Sequence, residues 1–158
     1  MNDNAKMNAK DSVSASLAEC FVTIDKTRYN FMQCINLEAS IEKTKTEIPI
    51  LGKTGKGNKS TGWSGTGSAT FHYNTSIFRE LLYKYKETGK DIYFDIQVTN
   101  EDPSSNVGRQ TVILKDCNID GGILTKFDAD GEYLEEDFDF TFEDFLIREK
   151  FNLLQGMK

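Results

Sequence analysis

The lysine- and glycine-rich stretch 52–60 is the part of the chain that comes nearest to a known chemical motif. A phosphate-binding loop, G-x-x-x-x-G-K-[ST], needs glycines that let backbone amides surround a phosphate, and a helix directly after it. When the motif lysine is aligned on Lys59, the two glycine positions are occupied by Lys53 and Asn58. When it is aligned on Lys53, the first glycine position is occupied by Glu47. The glycines that follow lead into a predicted strand, so we do not predict nucleotide hydrolysis.

Acidic and histidine residues offer no better candidate for catalysis or metal binding. Asp128, Asp130 and Glu135 could begin a calcium loop, but Gly131 comes fourth, whereas the EF-hand pattern needs glycine at its sixth position. His72 is the single histidine, so histidine-based metal clusters are not available, and we place it on a surface or an interface. The sequence therefore predicts no catalytic residue, no metal site and no cofactor.

The cysteines point to packing rather than to covalent chemistry. Cys20, Cys34 and Cys117 are odd in number and widely spaced, which fits neither a paired disulfide framework nor the close spacing of zinc ligands. We predict buried or half-buried thiols that behave as small apolar groups.

Length and composition describe one acidic domain. A chain of 158 residues buries roughly 70% of its unfolded surface, and its net charge of -6 has the wrong sign for holding a phosphate backbone. No apolar run approaches the length of a membrane span, so we expect no membrane insertion. Residues 1–16 are polar and lack the apolar core of a signal peptide. We predict a flexible N-terminal arm over 1–16, a single domain over 17–158, and a cytoplasmic chain.

Period-two alternation of apolar and polar side chains dominates the domain and predicts strands with one buried face. The pattern is clearest near the C-terminus, where Phe138, Phe140 and Phe142 alternate with polar residues. A polar break after Ile24 predicts a hairpin. The predicted strands are 21–24, 29–41, 65–73, 92–99, 110–117, 119–127 and 134–142.

One internal helix interrupts the strands. Apolar residues recur at helical spacing from Ser76 to Thr88, and Gly89 suits the C-terminal end of that helix. Residues 145–154 are predicted to form a short helix or a docked tail. Seven or so strands with one helix predict a mainly β fold, an antiparallel two-sheet β-sandwich or barrel flanked by the helix.

The strand that begins at Tyr29 continues beyond the predicted core. The alternating positions are apolar as far as Ile41 and are then occupied by Lys43 and Lys45, although no turn residue intervenes. Continued to Ile48, the strand would span about 65 Å, so its far end must leave the domain. We interpret residues 43–62 as an extended arm or loop between two strands, and long loops of this kind are usually functional or disordered.

Charge is distributed unevenly along the chain. The extended arm is rich in lysine, whereas residues 128–144 contain many carboxylates and no Lys or Arg. Two solvated surface segments would explain this pattern, and a head-to-tail contact between copies is the sharper hypothesis. The predicted subunit-interface residues of the arm are Lys43, Lys45, Lys53, Lys56, Lys59 and Trp63. The residues predicted to form an acidic interface or lumen are Asp128, Asp130, Glu132, Glu135, Glu136, Asp137 and Asp139.

An ordered set of short motifs resembles the tail tube proteins of PBSX-type contractile phage tails. The set comprises Lys59–Gly62, Gly65–Phe71, Thr75–Phe78, Leu134–Glu136 and Phe140–Phe145. Its order and spacing match over roughly residues 21–150. The polar N-terminal extension, the three cysteines and Trp63 depart from the family pattern.

The resemblance implies a structural, non-enzymatic subunit that assembles into hexameric rings. Such rings stack into the inner tube of a contractile phage tail or a tail-like bacteriocin, with a sheath outside and a tape-measure protein inside during assembly. Baseplate proteins are the other implied partners, and DNA passes through the tube only in a true phage, without specific binding. The implied location is the bacterial cytoplasm during assembly, and then the virion tail or a released particle.

A carbohydrate- or cell-wall-binding module remains the alternative, because such modules are also β-sandwiches. It would need several exposed aromatic side chains in one row. Trp63, Tyr73 and Tyr93 are the candidates, but their spacing shows no evident row.

Overall fold

The computed structural model describes residues 5–158. Its elements are a 3-10 turn Ala9–Asp11, eight strands and one helix. In chain order they are β1 Ala18–Ile24, β2 Thr27–Asn30, β3 Cys34–Ile48, β4 Gly57–His72, α1 Ile77–Thr88, β5 Phe94–Glu101, β6 Arg109–Ile119, β7 Glu135–Phe142 and β8 Asp144–Glu149.

The strands pair in the order β2-β1-β5-β6-β7-β4-β3, and β8 pairs with β6. The predicted mainly antiparallel β fold with one helix is confirmed, but the sheet is not closed into a barrel. The helix α1 is not long and apolar enough to span a membrane, and it is the one α-helix among residues 5–158.

The chain divides into two compact units, each built from separated segments. The first unit comprises residues up to 32, 93–116 and 145–158. Its strands β1 and β5 pair with Val22 opposite Ile96 and Cys20 opposite Val98. The buried apolar side chains of this unit are Cys20, Val22, Ile24, Phe31, Phe94, Ile96, Ile113 and Leu114.

Two buried aspartates anchor the N-terminal segment of the first unit. A carboxylate oxygen of Asp11 accepts a hydrogen bond from the backbone N–H of Asn106 at 2.9 Å. Asp102 accepts from the backbone N–H groups of Ser14 at 3.0 Å and Ser104 at 2.9 Å. Residues 1–4 of the flexible arm predicted over 1–16 lie outside the described residues. From Asp11 onward, hydrogen bonds join this segment to the loop after β5.

The second unit, residues 33–92 and 117–144, has an aromatic core between its sheet and α1. The rings of Phe71 and Phe138 stack 5.1 Å apart, and Phe78 of α1 lies 4.4 Å from Phe138. The predicted helix is confirmed within a residue, and Gly89 ends it in the left-handed conformation at φ +71°.

Glycines in β4 make room for two of these core rings. Gly67 lies opposite Phe140 and Gly65 opposite Phe142 in the antiparallel register. A Cβ added to Gly67 would lie 2.3 Å from Cζ of Phe140, so the ring occupies the space that any side chain would need. Glycine at these positions thus lets an aromatic ring of the neighbouring strand pack directly against the backbone of β4.

Substituting Gly67 should therefore destabilise the protein. We expect Gly67→Ala to lower the free energy of unfolding by about 1–3 kcal/mol, because the fully buried Phe140 ring must shift. Gly62→Ala in the same strand is the matched control, since its added Cβ would meet no atom within 4 Å. Urea denaturation of both variants measures the difference, and equal midpoints would contradict this account.

One strand prediction near the C-terminus is wrong. The segment 119–127 forms no strand beyond Ile119, because β6 ends there and Gly121 and Gly122 follow in irregular backbone. Of the two alternatives for 145–154, the short helix does not form: residues Asp144–Glu149 form β8, which pairs with β6.

Candidate assembly surface

The hairpin of β3 and β4 extends well past the strand that supports it. β4 pairs with β7 only from Gly65 to His72, whereas β3 and β4 continue to pair with each other as far as Ile48 and Gly57. Residues 42–64, here called the hairpin arm, therefore form a two-stranded ribbon, and almost all of their side chains are exposed. The ribbon is more regular than the flexible excursion that the sequence suggested.

A tight turn closes the far end of the hairpin arm. The backbone N–H of Lys53 donates to the carbonyl oxygen of Ile50 at 3.1 Å, and Gly52 takes the positive φ of +84° that this turn requires. Stretch 52–60 passes from this turn directly into β4. No helix follows it, so its amides are not arranged as a phosphate-binding loop arranges them.

One face of the hairpin arm continues the buried face of the sheet. Ile41 lies opposite Gly65, and Lys43 lies opposite Trp63, so these side chains share the face that carries Phe142. The Trp63 ring packs 6.2 Å from the ring of Phe142 and remains 42% exposed. This surface, here called the core-side face of the arm, comprises Lys43, Lys45 and Trp63 together with Ile41 at the base of the arm, and all four residues are exposed.

The five predicted lysines lie along the hairpin arm and are all exposed. Lys43 and Lys45 follow each other on the core-side face of β3, and Lys59 pairs with Thr46 on the opposite face. Lys56 lies 3.9 Å from Glu47, and both side chains are mostly exposed, so this ion pair contributes little to stability.

Glu136 does not lie on the predicted acidic surface. Its side chain is 5% exposed, and it accepts a hydrogen bond from Arg79 of α1 at 2.7 Å. The same guanidinium donates to the carbonyl oxygens of Thr75 and Ile123 and lies over the ring of Tyr73. Glu136 is therefore part of the interior of the second unit, and Tyr73 is not available as an exposed sugar-stacking ring.

Asp137 and Asp139 lie on the outer face of the second unit's sheet. Asp139 is in register with Ser68 and Glu38, and Asp137 accepts a hydrogen bond from the Thr70 hydroxyl at 2.6 Å. The central strand of this face carries short hydroxyl side chains, namely Ser64, Thr66, Ser68 and Thr70. Between Ser64 and Thr70 the outer face of β4 therefore carries only short polar side chains, and the flanking strands β3 and β7 add carboxylates.

Three of the other predicted acids belong to the segment 120–134, here called the acidic loop, and the fourth, Glu135, is the first residue of β7. Asp128, Asp130 and Glu132 are exposed, and a carboxylate oxygen of Asp128 accepts from the backbone N–H of Asp130 at 3.1 Å. Tyr133 donates a hydrogen bond to Glu135, which raises the pKa of Tyr133 above its ordinary value because the carboxylate favours the protonated phenol.

The acidic loop also exposes large apolar side chains that the sequence interpretation missed. Phe127 is 89% exposed and Leu124 is 70% exposed. Apolar residues at these positions favoured a buried strand over 119–127, so their exposure could not be expected from the sequence. Tyr133 is exposed as well, and its ring lies 5.6 Å from that of His72.

The remaining candidates for chemistry are surface or packing residues. His72 is exposed, in agreement with its predicted position. Cys20 and Cys117 are buried and Cys34 is half-buried, and none of them forms a disulfide, which confirms that prediction. Across residues 5–158, His, Cys, Asp and Glu side chains form no group of three that could hold a metal ion.

Comparison with known proteins identifies similar chains. Residues 5–149 match the phage tail tube protein family. Phage-like element PBSX protein XkdM of Bacillus subtilis (strain 168) is 45% identical over 113 residues, which cover 72% of this chain and 77% of that protein. The fold of the present chain is similar to that of a chain in the anti-feeding prophage cap, with a TM-score of 0.66 and 10% sequence identity. This match covers 92% of the present chain and 97% of the other chain. Comparison with a chain of the SPP1 tail tube gives a TM-score of 0.61 and 10% sequence identity, and this match covers 86% of the present chain and 78% of the other chain.

Proposed function

The chain belongs to the phage tail tube protein family, and from that membership we propose that it assembles into hexameric rings stacked as the inner tube of a contractile tail. The role of this family is structural and not enzymatic. Phage tails and tail-like bacteriocins would use the same subunit. The observation that carries the proposal is the hairpin arm, because it projects from its unit with apolar and basic side chains that the single chain leaves exposed.

The energetics of the hairpin arm support assembly. An isolated two-stranded ribbon is at best marginally stable in water, since it lacks a face packed on a core. Exposed Ile41, Ile48 and Trp63 add apolar area whose removal from water contributes about 25 cal/mol per Å². A neighbouring copy that covered the ribbon would stabilise it, and the buried apolar area would supply most of the affinity.

The acidic outer face of β3, β4 and β7 has the properties of a channel wall. Glu38, Asp137 and Asp139 would repel a phosphate backbone. The serine and threonine hydroxyls between them carry no positive charge that could bind a phosphate. A nucleic acid could therefore slide past this face without sticking. In this arrangement the predicted lumen residues are Asp137 and Asp139, whereas Glu136 stays inside the subunit.

The proposed partners are those that the inner tube of a contractile tail would contact. Copies of the same chain form the rings, a sheath protein surrounds the tube, and tape-measure and baseplate proteins contact it during assembly. Assembly takes place in the bacterial cytoplasm before the particle is released. DNA passes through the tube only in a true phage, and neither specific nucleic-acid binding nor membrane insertion is part of the proposal.

Negative-stain electron microscopy tests the proposal directly. We expect the concentrated protein, or the protein coexpressed with its sheath and baseplate neighbours, to form six-fold rings or stacked tubes, because each copy carries an uncovered arm. The same chain at low concentration serves as the control and should be monomeric. A chain that stays monomeric under all of these conditions, including coexpression, would contradict the proposed function.

A further inference from the structure

We propose that the core-side face of the hairpin arm docks on the acidic loop of a second copy of this chain. This inference rests on the proposed function and names the surface that receives the arm. It joins two exposed surfaces of the second unit, the strip around Ile41 and Trp63 and the loop around Leu124 and Phe127. Both are exposed in the single chain, so another copy must supply the contact.

The arm presents a surface that a partner of a particular chemistry would cover. Ile41 and Trp63 form an apolar centre, and Lys43 and Lys45 lie beside it on the same face. Trp63 is already fixed by its packing on Phe142, so little side-chain freedom is lost when its exposed part is covered. Its partner should therefore offer apolar side chains bordered by carboxylates.

The acidic loop matches that description. Phe127 and Leu124 project into solvent, and Asp130 and Glu132 follow a few residues later in the same loop. The complementary charges would steer encounter and fix the register, and the aromatic and aliphatic contacts would supply affinity.

The loop is also held in place, which favours a preformed docking site. Arg79 donates to the carbonyl oxygen of Ile123 at 3.4 Å, and the Lys126 ammonium donates to the carbonyl oxygen of Glu135 at 2.9 Å. Asp128 closes the turn in the middle of the loop. These bonds lie on both sides of Phe127, so binding would not have to order a free segment.

The sheet's outer face is a less suitable receptor for the arm. It is acidic as well, but its central strand carries short hydroxyl side chains, and beside them lie Glu38 and Asp139. No large apolar side chain is in register there to cover Trp63. Of these two acidic surfaces, the acidic loop is the one that also exposes a large aromatic side chain, Phe127.

A charge-swap experiment tests the contact. Lys43→Glu with Lys45→Glu, and separately Asp130→Lys with Glu132→Lys, should each slow assembly roughly tenfold at low salt, measured by light scattering. Combining all four substitutions should restore assembly, because every copy then carries both reversed surfaces. The effect should shrink as salt rises and the Debye length falls to about 8 Å near 0.15 M. Phe127→Ser should slow assembly at all salt concentrations.

Matched controls separate this contact from general effects of charge and from the function itself. Lys84→Glu with Lys90→Glu alters two exposed lysines outside the arm and should leave the assembly rate unchanged. Circular dichroism checks that each variant is folded. Rings or tubes from wild-type chains, with no rescue by the combined variant and no effect of Phe127→Ser, would overturn the docking site and leave the proposed function standing. Wild-type chains that form no rings or tubes would contradict both.

Discussion

A chain in which residues 43–63 are replaced by Asn-Gly should fold as a monomer and form no rings or tubes. Glu42 and Ser64 are direct partners in the ladder, so a two-residue turn can join them without changing the pairing of β4 with β7. The replaced residues are exposed, except for the half-buried Gly57. The main packing that is lost is that of Trp63 on Phe142, so we expect a stability loss of about 1–2 kcal/mol.

Sedimentation velocity and electron microscopy measure the effect on assembly, and urea denaturation measures the effect on folding. The matched control shortens only the tip, replacing residues 49–56 by Asn-Gly between the partners Ile48 and Gly57. This control keeps the whole core-side face and should still assemble. If the longer replacement unfolds the chain, the ribbon belongs to the folding core. If it assembles like the wild type, the arm plays no part in the tube.

Replacing Arg79 should destabilise the subunit more than Gly67→Ala does. Arg79→Met leaves Glu136 as an uncompensated buried carboxylate and removes donors from two carbonyl oxygens. Removing one partner of a buried pair typically costs about 3–5 kcal/mol. Because the same guanidinium binds Ile123, we also expect the acidic loop to exchange its amide hydrogens faster.

Urea denaturation with hydrogen exchange tests this prediction. Lys115→Met is the matched control, because Lys115 lies 3.4 Å from Asp95 and both side chains are about a third exposed. This partly solvated pair should contribute only about 0–1 kcal/mol. A double variant, Arg79→Met with Glu136→Leu, should recover part of the lost stability, since it removes the buried charge. Equal losses for Arg79→Met and Lys115→Met would show that the buried pair is not a structural anchor.

Local patterns in the sequence were sufficient to predict much of the fold. Alternation of Phe138, Phe140 and Phe142 with polar residues predicted β7 because a buried face repeats every second residue. The spacing of apolar residues predicted α1 in the same way. The alternating run past Ile41 also indicated that the hairpin leaves its core, although glycines and lysines in that segment resemble those of a flexible loop.

Features that depend on distant parts of the chain could not be predicted. Glu136 lies within an acidic run but in phase with Phe138 on the buried face, and the partner that makes a carboxylate stable there, Arg79, is 57 residues away. The tail after Asp144 is too short for its pattern to distinguish helix from strand, and β6 decides the outcome by pairing with it. For Leu124 and Phe127, apolar character favoured burial, whereas both side chains are exposed on a loop that Arg79 and Lys126 anchor by hydrogen bonds.

The length of the hairpin arm has a mechanical consequence. From Glu42 to Ile48 the ribbon extends about 23 Å beyond the supported part of the sheet. A copy that docked along this ribbon would act on the subunit through it, so relative motion of the two copies would load the base of the arm. The Trp63 ring lies at that base on Phe142, which belongs to the same strand as the buried Phe140 and Phe138. Force on the arm would thus pass into the strand whose phenylalanines form the buried core of the unit.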